Sequence, residues 1–257
     1  MIPTNGKASR VKPARQPRSG NSDHGRVTPI SLVRDDALDA ILIETEQPEH
    51  PAGHPVFHGV KRCIDVAGAL FGLVCAAPAI IAVAIAIRLE SRGPIFFAHQ
   101  RLGRGGRLFR CWKFRSMHED AERRLHADET LRHHYVSNHF KIPHHLDPRI
   151  TRLGRFLRSS SLDELPQLWN VLCGEMSLVG PRPIVPLESS HYGDDASLLL
   201  SMRPGLTGAW AVYGRNRVGY PARAEIELEY VRSWSLARDV GVLLRTPRVV
   251  FTRNGVY

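Results

Sequence analysis

The chain has 257 residues, of which 43% are hydrophobic and 23% are charged. Its four cysteines are too few for a disulfide scaffold, its 21 glycines show no collagen triplet, and its apolar content excludes a wholly disordered chain. The formal net charge of +10 favours an anionic partner: nucleic acid, anionic lipid or a phosphorylated substrate.

Residues 1–58 have the composition of a polar tail. The first 34 residues carry seven basic side chains and one acidic side chain, whereas residues 35–58 carry six acidic side chains and no lysine or arginine. Proline and glycine interrupt the tail, and only Ala37–Ile43 has the apolar pattern of a short helix. We expect disorder here, and the basic start is not followed by the apolar segment that a cleavable signal peptide requires.

The strongest signal in the chain is the run Val66–Ile87, whose 22 residues include no charged, amide or hydroxyl side chain. About 20 such residues can cross the hydrocarbon core of a bilayer. The alternative is a buried helix of a soluble core, but such helices rarely lack a polar face over this length. The run therefore predicts a membrane segment.

Two features argue against a simple membrane span. Pro78 lies past the middle of the run and removes a backbone hydrogen bond. Basic residues flank the run on both sides, Lys61 and Arg62 before it and Arg88 and Arg92 after it. Because lysine and arginine prefer the cytoplasmic side, a helix that bends near Pro78 and returns to that side satisfies both flanks. We therefore expect a re-entrant helix broken at Pro78.

A β-hairpin is predicted next, with strands at Pro94–Gln100 and Arg107–Trp112. The glycines between the strands lack the spacing of a dinucleotide-binding loop. A polar helix is predicted at Glu119–Leu131. The histidine-rich run that follows matches no metal-binding spacing, so we interpret it as a surface segment rather than as a metal site. Its members are His126, His133, His134, His139, His144 and His145.

The region from Asp147 to Gly180 combines a basic amphipathic helix with an acidic pair. Arg152, Arg155 and Arg158 recur every three residues with apolar residues between them, which suits a membrane interface or a phosphate. Asp163 and Glu164 follow. The spacing of Ser161 and Glu164 is that of a capping box, which would place the acids in the first turn of a helix over 162–172.

A second interpretation of the acidic pair is functional. Pro166 disfavours helical backbone at the preceding residue, which favours a helix that begins near Pro166 and leaves the acids on a constrained turn. Arginines surround the pair in the sequence, and Lys113 and Arg115 follow the hairpin. A carboxylate pair among guanidinium groups can bind a divalent cation and attack phosphorus. A nucleotide-sugar or similar diphosphate fits such a site better than DNA, because no DNA-reading helix or zinc module is present.

The motifs of residues 59–257 occur in a specific order. They are Lys61-Arg62-x-x-Asp65, Pro94–Phe97, Lys113–Met117, Asp147–Thr151, Ser161–Asn170, Ser177–Pro183, Arg203–Gly208 and Gly214–Asn216. In this order they resemble the monotopic polyprenyl-phosphate phosphoglycosyl transferases, the bacterial sugar transferases that start exopolysaccharide or related glycan assembly. The chain is similar to the small form of this family, and its C-terminal third to the galactosyl-type members.

The resemblance implies a two-step transfer of a sugar 1-phosphate. Asp163 would attack the β-phosphorus of a UDP-sugar and release UMP, and undecaprenyl phosphate would then accept the phosphosugar. Glu164 would bind Mg²⁺, the implied cofactor, and Arg158 would bind a phosphate of the lipid carrier. The candidate ligands for the diphosphate or the uridine are Lys113, Arg115, Arg182 and Arg215.

The predicted elements and the resemblance together give an α+β, mainly helical fold. We expect a disordered tail at 1–58, a re-entrant membrane helix at 59–93, and a compact helical catalytic domain with a short β-hairpin at 94–257. The C-terminal domain should contain helices at Ala222–Val231 and near Ala237–Leu244. The expected location is the cytoplasmic face of the bacterial inner membrane.

The expected partners are a UDP-sugar, undecaprenyl phosphate and membrane lipid. A homodimer is a further candidate assembly, and we expect no binding of nucleic acid. The alternative function is a non-catalytic, membrane-anchored basic protein that binds anionic lipid or nucleic acid. The acidic pair discriminates between the two, because a polyanion-binding protein has little use for carboxylates in its binding surface.

Overall fold

The computed structural model describes residues 55–137, 142, 146–214 and 218–252. Most of the predicted tail, with its short helix at Ala37–Ile43, lies outside the described residues, as do His139, His144 and His145. The helices are α1 (Pro55–Glu90), α2 (Ala121–Ala127), α3 (Glu129–Ser137), α4 (Arg152–Ser160), α5 (Gln167–Cys173), α6 (Ala196–Leu200), α7 (Ala209–Tyr213), α8 (Ala222–Arg232) and α9 (Leu236–Thr252). The strands are β1 (Phe96–Leu102), β2 (Leu108–Phe114), β3 (Ser177–Val179) and β4 (Gly205–Thr207), so the predicted mainly helical α+β class is confirmed.

Helix α1 is one continuous element that begins four residues before the predicted start of the membrane segment and ends at Glu90. Pro78 lies inside it, and the predicted break is not observed. A proline removes only one backbone donor, and apolar helices can absorb that loss without ending. Re-entry into the membrane stays a prediction.

One face of α1 packs on the rest of the protein and the other is exposed and apolar. Ala69, Val83 and Ile87 are buried, whereas Phe71 and Leu89 are 71% and 82% exposed. In the described residues α1 is the one helix long and apolar enough to cross a membrane, by length and composition. An exposed apolar face of this size marks a surface that lipid or protein covers, so the predicted membrane segment has the chemistry that its sequence suggested.

Both ends of α1 are bound to the same domain. Near its start, the Lys61 ammonium lies 2.6 Å from a carboxylate oxygen of Asp239. One turn on, Asp65 accepts hydrogen bonds from the Ser177 hydroxyl and the Leu178 N–H, both 2.9 Å long. At the far end, the Glu90 carboxylate accepts a 2.9 Å hydrogen bond from the backbone N–H at the start of α4. The Lys-Arg-x-x-Asp motif therefore ties the apolar helix to the domain.

The predicted hairpin is confirmed, with both strands displaced toward the C-terminus by one or two residues. Strands β1 and β2 are antiparallel, and Phe97 lies opposite Lys113. The turn between them has positive φ angles at Gly105 and Gly106, which glycine adopts without steric cost. Asn170 of α5 closes the open edge of β2, because its amide accepts from Trp112 N and donates to the carbonyl two residues earlier.

The helical predictions after the hairpin hold in part. The polar segment predicted as one helix at Glu119–Leu131 is two helices, α2 and α3. Asp128 divides them because its backbone is extended and its carboxylate accepts a 2.9 Å hydrogen bond from Leu131 N, which caps α3. The helix predicted at Ala222–Val231 is α8, and the one predicted near Ala237–Leu244 extends to Thr252 as α9. The main core lies among these helices and the short parallel pair β3–β4.

Candidate active site

The acidic pair lies on a short 3₁₀ turn, Leu162–Glu164, between α4 and α5. Ser161 ends α4 in the left-handed region, with φ of 59°. The capping-box interpretation is wrong: the Ser161 side chain makes no capping hydrogen bond, and α5 begins after Pro166. The prediction that the helix begins near Pro166 is confirmed, and this later start leaves Asp163 and Glu164 on a constrained turn.

Asp163 is a buried carboxylate, with a residue exposure of 7%. Burial raises its pKa from 3.8 to about 6, and Glu164 acts in the same direction. The positive charges of Lys113 and Arg158 oppose the rise in pKa. At neutral pH the carboxylate is therefore mostly ionised but poorly hydrated, which are the properties of an oxygen nucleophile.

Lys113 of β2 brings a cation to both acids. Its ammonium lies 2.6 Å from an oxygen of Glu164 and 3.9 Å from an oxygen of Asp163. Two carboxylates that already converge on one cation are hard oxygen ligands of the kind that Mg²⁺ takes together with substrate phosphates. Within the described ranges no group of three or more His, Cys, Asp or Glu residues is arranged to hold a metal. A divalent ion here would therefore complete its coordination with substrate oxygens or water.

Arg158 is a second cation close enough to Asp163 to act on its pKa. Its Nε donates a 2.8 Å hydrogen bond to the hydroxyl of Ser116, which is itself buried. Burial lowers the pKa of Arg158 and the charge of Asp163 opposes that change, but an arginine remains protonated at physiological pH. Gly154 of α4 lies directly against Ser116, because an added Cβ would sit 1.9 Å from the serine carbonyl oxygen. The close approach fixes Arg158 relative to the strand that carries Lys113.

The remaining candidate ligands lie elsewhere. The Arg115 guanidinium is buried and donates to the carbonyl oxygens of Ser91 and Arg92, so it fastens the junction between α1 and β1. Arg182 follows β3, and its guanidinium lies 5.2 Å from the ring centre of Trp210. Arg215 lies outside the described residues. The structure thus brings Asp163, Glu164, Lys113 and Arg158 together, and it does not bring Arg115 to them.

A buried ionic network that the sequence did not suggest lies beyond the hairpin. Arg223 is 2% exposed, and its guanidinium lies between the rings of Trp210 and Tyr220, at 4.7 and 4.8 Å. Its nitrogens lie 3.5 Å from Glu188 and 3.7 Å from Glu227. Burial raises the pKa of Glu227, and Arg223 opposes that rise. The four-residue spacing of Arg223 and Glu227 on α8 is also that of an exposed helical ion pair, so no signal in the sequence marked them as buried.

One face of the hairpin joins the network to the acidic pair. Lys113 and Arg101 project from this face, with the buried Cys111 between them. Arg101 is paired with Glu188, and Lys113 with Glu164. The two basic residues are four strand positions apart, which is about 13 Å. Cys111 packs in a buried cluster with residues of α5, so part of the space between the two basic side chains is filled by the protein itself.

Exposed aromatic side chains flank the site. Phe156 of α4 is 50% exposed and Trp169 of α5 is 58% exposed. Leu168, the neighbour of Trp169, packs with Ala69 of α1 in one buried cluster. The acidic turn therefore lies between two helices that carry exposed aromatic groups and that adjoin the apolar helix, as expected for a site at a membrane interface.

Comparison with known proteins identifies the family that the chain resembles. The family described as "Bacterial sugar transferase" matches residues 56–253. The "UDP-galactose-lipid carrier transferase" of Erwinia amylovora is 44% identical over 202 residues, and the "Undecaprenyl-phosphate galactose phosphotransferase" of Salmonella typhimurium is 43% identical over 201 residues; each alignment covers 77% of this chain and 42% of the relative. The chain thus spans about two fifths of the length of these two relatives.

A shorter relative is matched over most of its length. The "Exopolysaccharide production protein ExoY" of Sinorhizobium fredii is 39% identical over 204 residues, which are 77% of this chain and 88% of that protein. The family match includes α1, the hairpin and the acidic turn. The chain belongs to the bacterial sugar transferase family.

Proposed function

We propose that the protein is an undecaprenyl-phosphate sugar phosphotransferase that initiates exopolysaccharide or related glycan assembly. The donor is a UDP-sugar, the acceptor is undecaprenyl phosphate, and the products are UMP and undecaprenyl diphosphate-sugar. The observation that carries the proposal is the buried carboxylate of Asp163, which is acted on by the positive charges of Lys113 and Arg158 and lies beside Glu164. The names of the relatives from Salmonella typhimurium and Sinorhizobium fredii support the acceptor and the pathway class.

The first step of the proposed reaction forms a bond between Asp163 and the donor. A carboxylate oxygen attacks the β-phosphorus of the UDP-sugar, and the bond from that phosphorus to the bridging oxygen breaks. UMP leaves, and the sugar 1-phosphate remains as an ester of Asp163. No proton needs to be removed from the nucleophile, because its pKa of about 6 leaves most of it ionised at neutral pH.

The second step releases the aspartate. An oxygen of undecaprenyl phosphate attacks the same phosphorus, the bond to Asp163 breaks, and undecaprenyl diphosphate-sugar forms. Arg158 is suited to bind the acceptor phosphate, because Ser116 takes only its Nε and a guanidinium can offer the remaining donors in a planar fork. Glu164 would hold Mg²⁺, which supplies charge neutralisation to the diphosphate when bound.

The location follows from how α1 is held. Because both ends of α1 are bound to one domain, we propose that both ends lie on the cytoplasmic face of the inner membrane. The apolar face that carries Phe71 and Leu89 then enters the lipid. The long-chain acceptor reaches the acidic turn from the bilayer, while the soluble donor reaches it from the cytoplasm.

The test is a panel of UDP-sugars with undecaprenyl phosphate and Mg²⁺, with UMP release as the readout. We expect one or a few donors to give UMP, and the Asp163→Asn variant to give none above background. The matched control is Asp120→Asn, since Asp120 lies at the start of α2 and pairs with Arg123 and Arg124 rather than with the site. Release of UMP by Asp163→Asn at the wild-type rate would contradict the covalent mechanism. Salt-sensitive binding of anionic lipid without any UMP release would favour the non-catalytic alternative.

A further inference from the structure

The ammonium of Lys113 stands where a cation shared by the two acids would stand. It is 2.6 Å from Glu164 and 3.9 Å from Asp163, and in the described part of the chain no other ion pair or hydrogen bond of its ammonium is found. The side chains of Lys113 and Glu164 are 26% and 30% exposed, so the position is open to solvent on one side. A divalent ion and this ammonium would therefore compete for the same carboxylate oxygens.

We propose that Lys113 is a displaceable cation: it neutralises Glu164 and Asp163 when the donor is absent, and it moves to a phosphate oxygen when a divalent ion binds with the donor. This inference rests on the proposed function. Lys113 and Arg158 together balance the two carboxylates, so these four side chains have a net formal charge of zero before the donor binds. The donor diphosphate brings negative charge to the site, and a lysine that remained on Glu164 would neither leave that carboxylate to a divalent ion nor contribute its own charge to the phosphates.

The position of Lys113 in the fold suits such a movement. Its backbone is fixed in β2 opposite Phe97, while the four-carbon stem of a lysine carries a mobile point charge. The same face of the hairpin leads toward Arg101, about 13 Å away. Rotation about the stem can therefore move the ammonium away from the acids while the backbone of β2 stays in place.

The first experiment measures metal affinity without donor. Mn²⁺ is titrated into the purified full chain in detergent, and free Mn²⁺ is followed by electron paramagnetic resonance. We expect Lys113→Met to bind Mn²⁺ at least about tenfold more tightly than the wild type, because the positive charge that competes for the same carboxylate oxygens has been removed. Lys113→Arg retains the charge and should stay within about twofold of the wild type.

The matched control is Arg110→Met, which removes a positive charge from the same strand but from the opposite face of the hairpin. It should leave the Mn²⁺ affinity within about twofold of the wild type. Adding Glu164→Gln to Lys113→Met should abolish the gain in affinity. No gain in Lys113→Met, or an equal gain in Arg110→Met, would overturn the inference.

A second measurement uses the wild type alone and so does not depend on a variant that folds. Lysine acylation is followed peptide by peptide with mass spectrometry. Mn²⁺ should increase the labelling of Lys113 by releasing its ammonium, and UDP added with Mn²⁺ should reduce it again. Unchanged labelling on adding Mn²⁺ would overturn the inference even if the wild type releases UMP, whereas the absence of UMP release would count against the proposed function instead.

Discussion

Replacing Asp163 by asparagine should stabilise the fold at neutral and alkaline pH while it abolishes transfer. The side chain of Asp163 is 10% exposed. Burial raises its pKa to about 6 from the ordinary value of 3.8. That difference corresponds to about 3 kcal/mol of free energy between the protonated and ionised forms. Keeping the buried carboxylate of Asp163 ionised therefore lowers the free energy of unfolding. The neutral amide of an asparagine does not carry this cost.

The sign of the pH dependence follows from the raised pKa. The folded protein binds the Asp163 proton more tightly than the unfolded chain does. The stability that this proton contributes is fully present below about 3.8 and is lost as the pH rises through about 6. Relative to the wild type, Asp163→Asn should therefore gain little at pH 4 and up to about 3 kcal/mol at pH 8.

The assay is the thermal unfolding midpoint of both proteins in one detergent at pH 4.5, 6 and 8. The matched control is Asp120→Asn. Its neighbours Arg123 and Arg124 lower the pKa of Asp120, so this substitution should bring no gain at any of the three pH values. A gain from Asp163→Asn that is equal at pH 4.5 and pH 8, or a loss at pH 8, would refute the reasoning from burial.

Three further outcomes are expected. Ser116→Ala should raise the KM for undecaprenyl phosphate by about tenfold, because Arg158 loses its 2.8 Å anchor, and it should leave UMP release in the donor half-reaction near the wild-type rate. Asn170→Ala should lower the free energy of unfolding by about 2–4 kcal/mol, measured by denaturant titration, because two backbone groups of β2 lose their buried partner. Reporter tags fused to the two ends of the chain should both be accessible from the cytoplasmic side alone, and periplasmic access to the N-terminal tag would exclude re-entry.

The sequence predicted the elements whose signals are local. The apolar run gave α1 because its length and uniform chemistry exceed what a soluble helix needs, and the glycine cluster gave the hairpin turn. The acidic pair also stood out, since Pro166 made a helical start at the preceding residues unfavourable. The sequence marked Lys113 as a candidate phosphate ligand but did not predict its ion pair with Glu164, because that pair depends on how β2 packs beside α5.

The roles of several charged side chains depend on long-range packing and could not be predicted from the sequence. Arg115 was expected to bind substrate, yet its guanidinium is used at the α1–β1 junction, and nothing in its local sequence distinguishes these two uses. Arg223 and Glu227 have the spacing of a surface ion pair, yet both are buried, Arg223 against the Trp210 and Tyr220 rings. Tertiary contacts of this kind leave no periodic signal in the chain.

In the proposed mechanism Asp163 becomes esterified by a phosphosugar. The most direct measurement of this adduct is the intact mass of the protein after incubation with the active UDP-sugar and Mg²⁺ in the absence of undecaprenyl phosphate, followed by peptide mapping. We expect a mass increase of one sugar phosphate on the peptide that contains Asp163, no such increase in Asp163→Asn, and loss of the adduct when undecaprenyl phosphate is added. UMP release by the wild type without any such adduct would contradict the covalent mechanism.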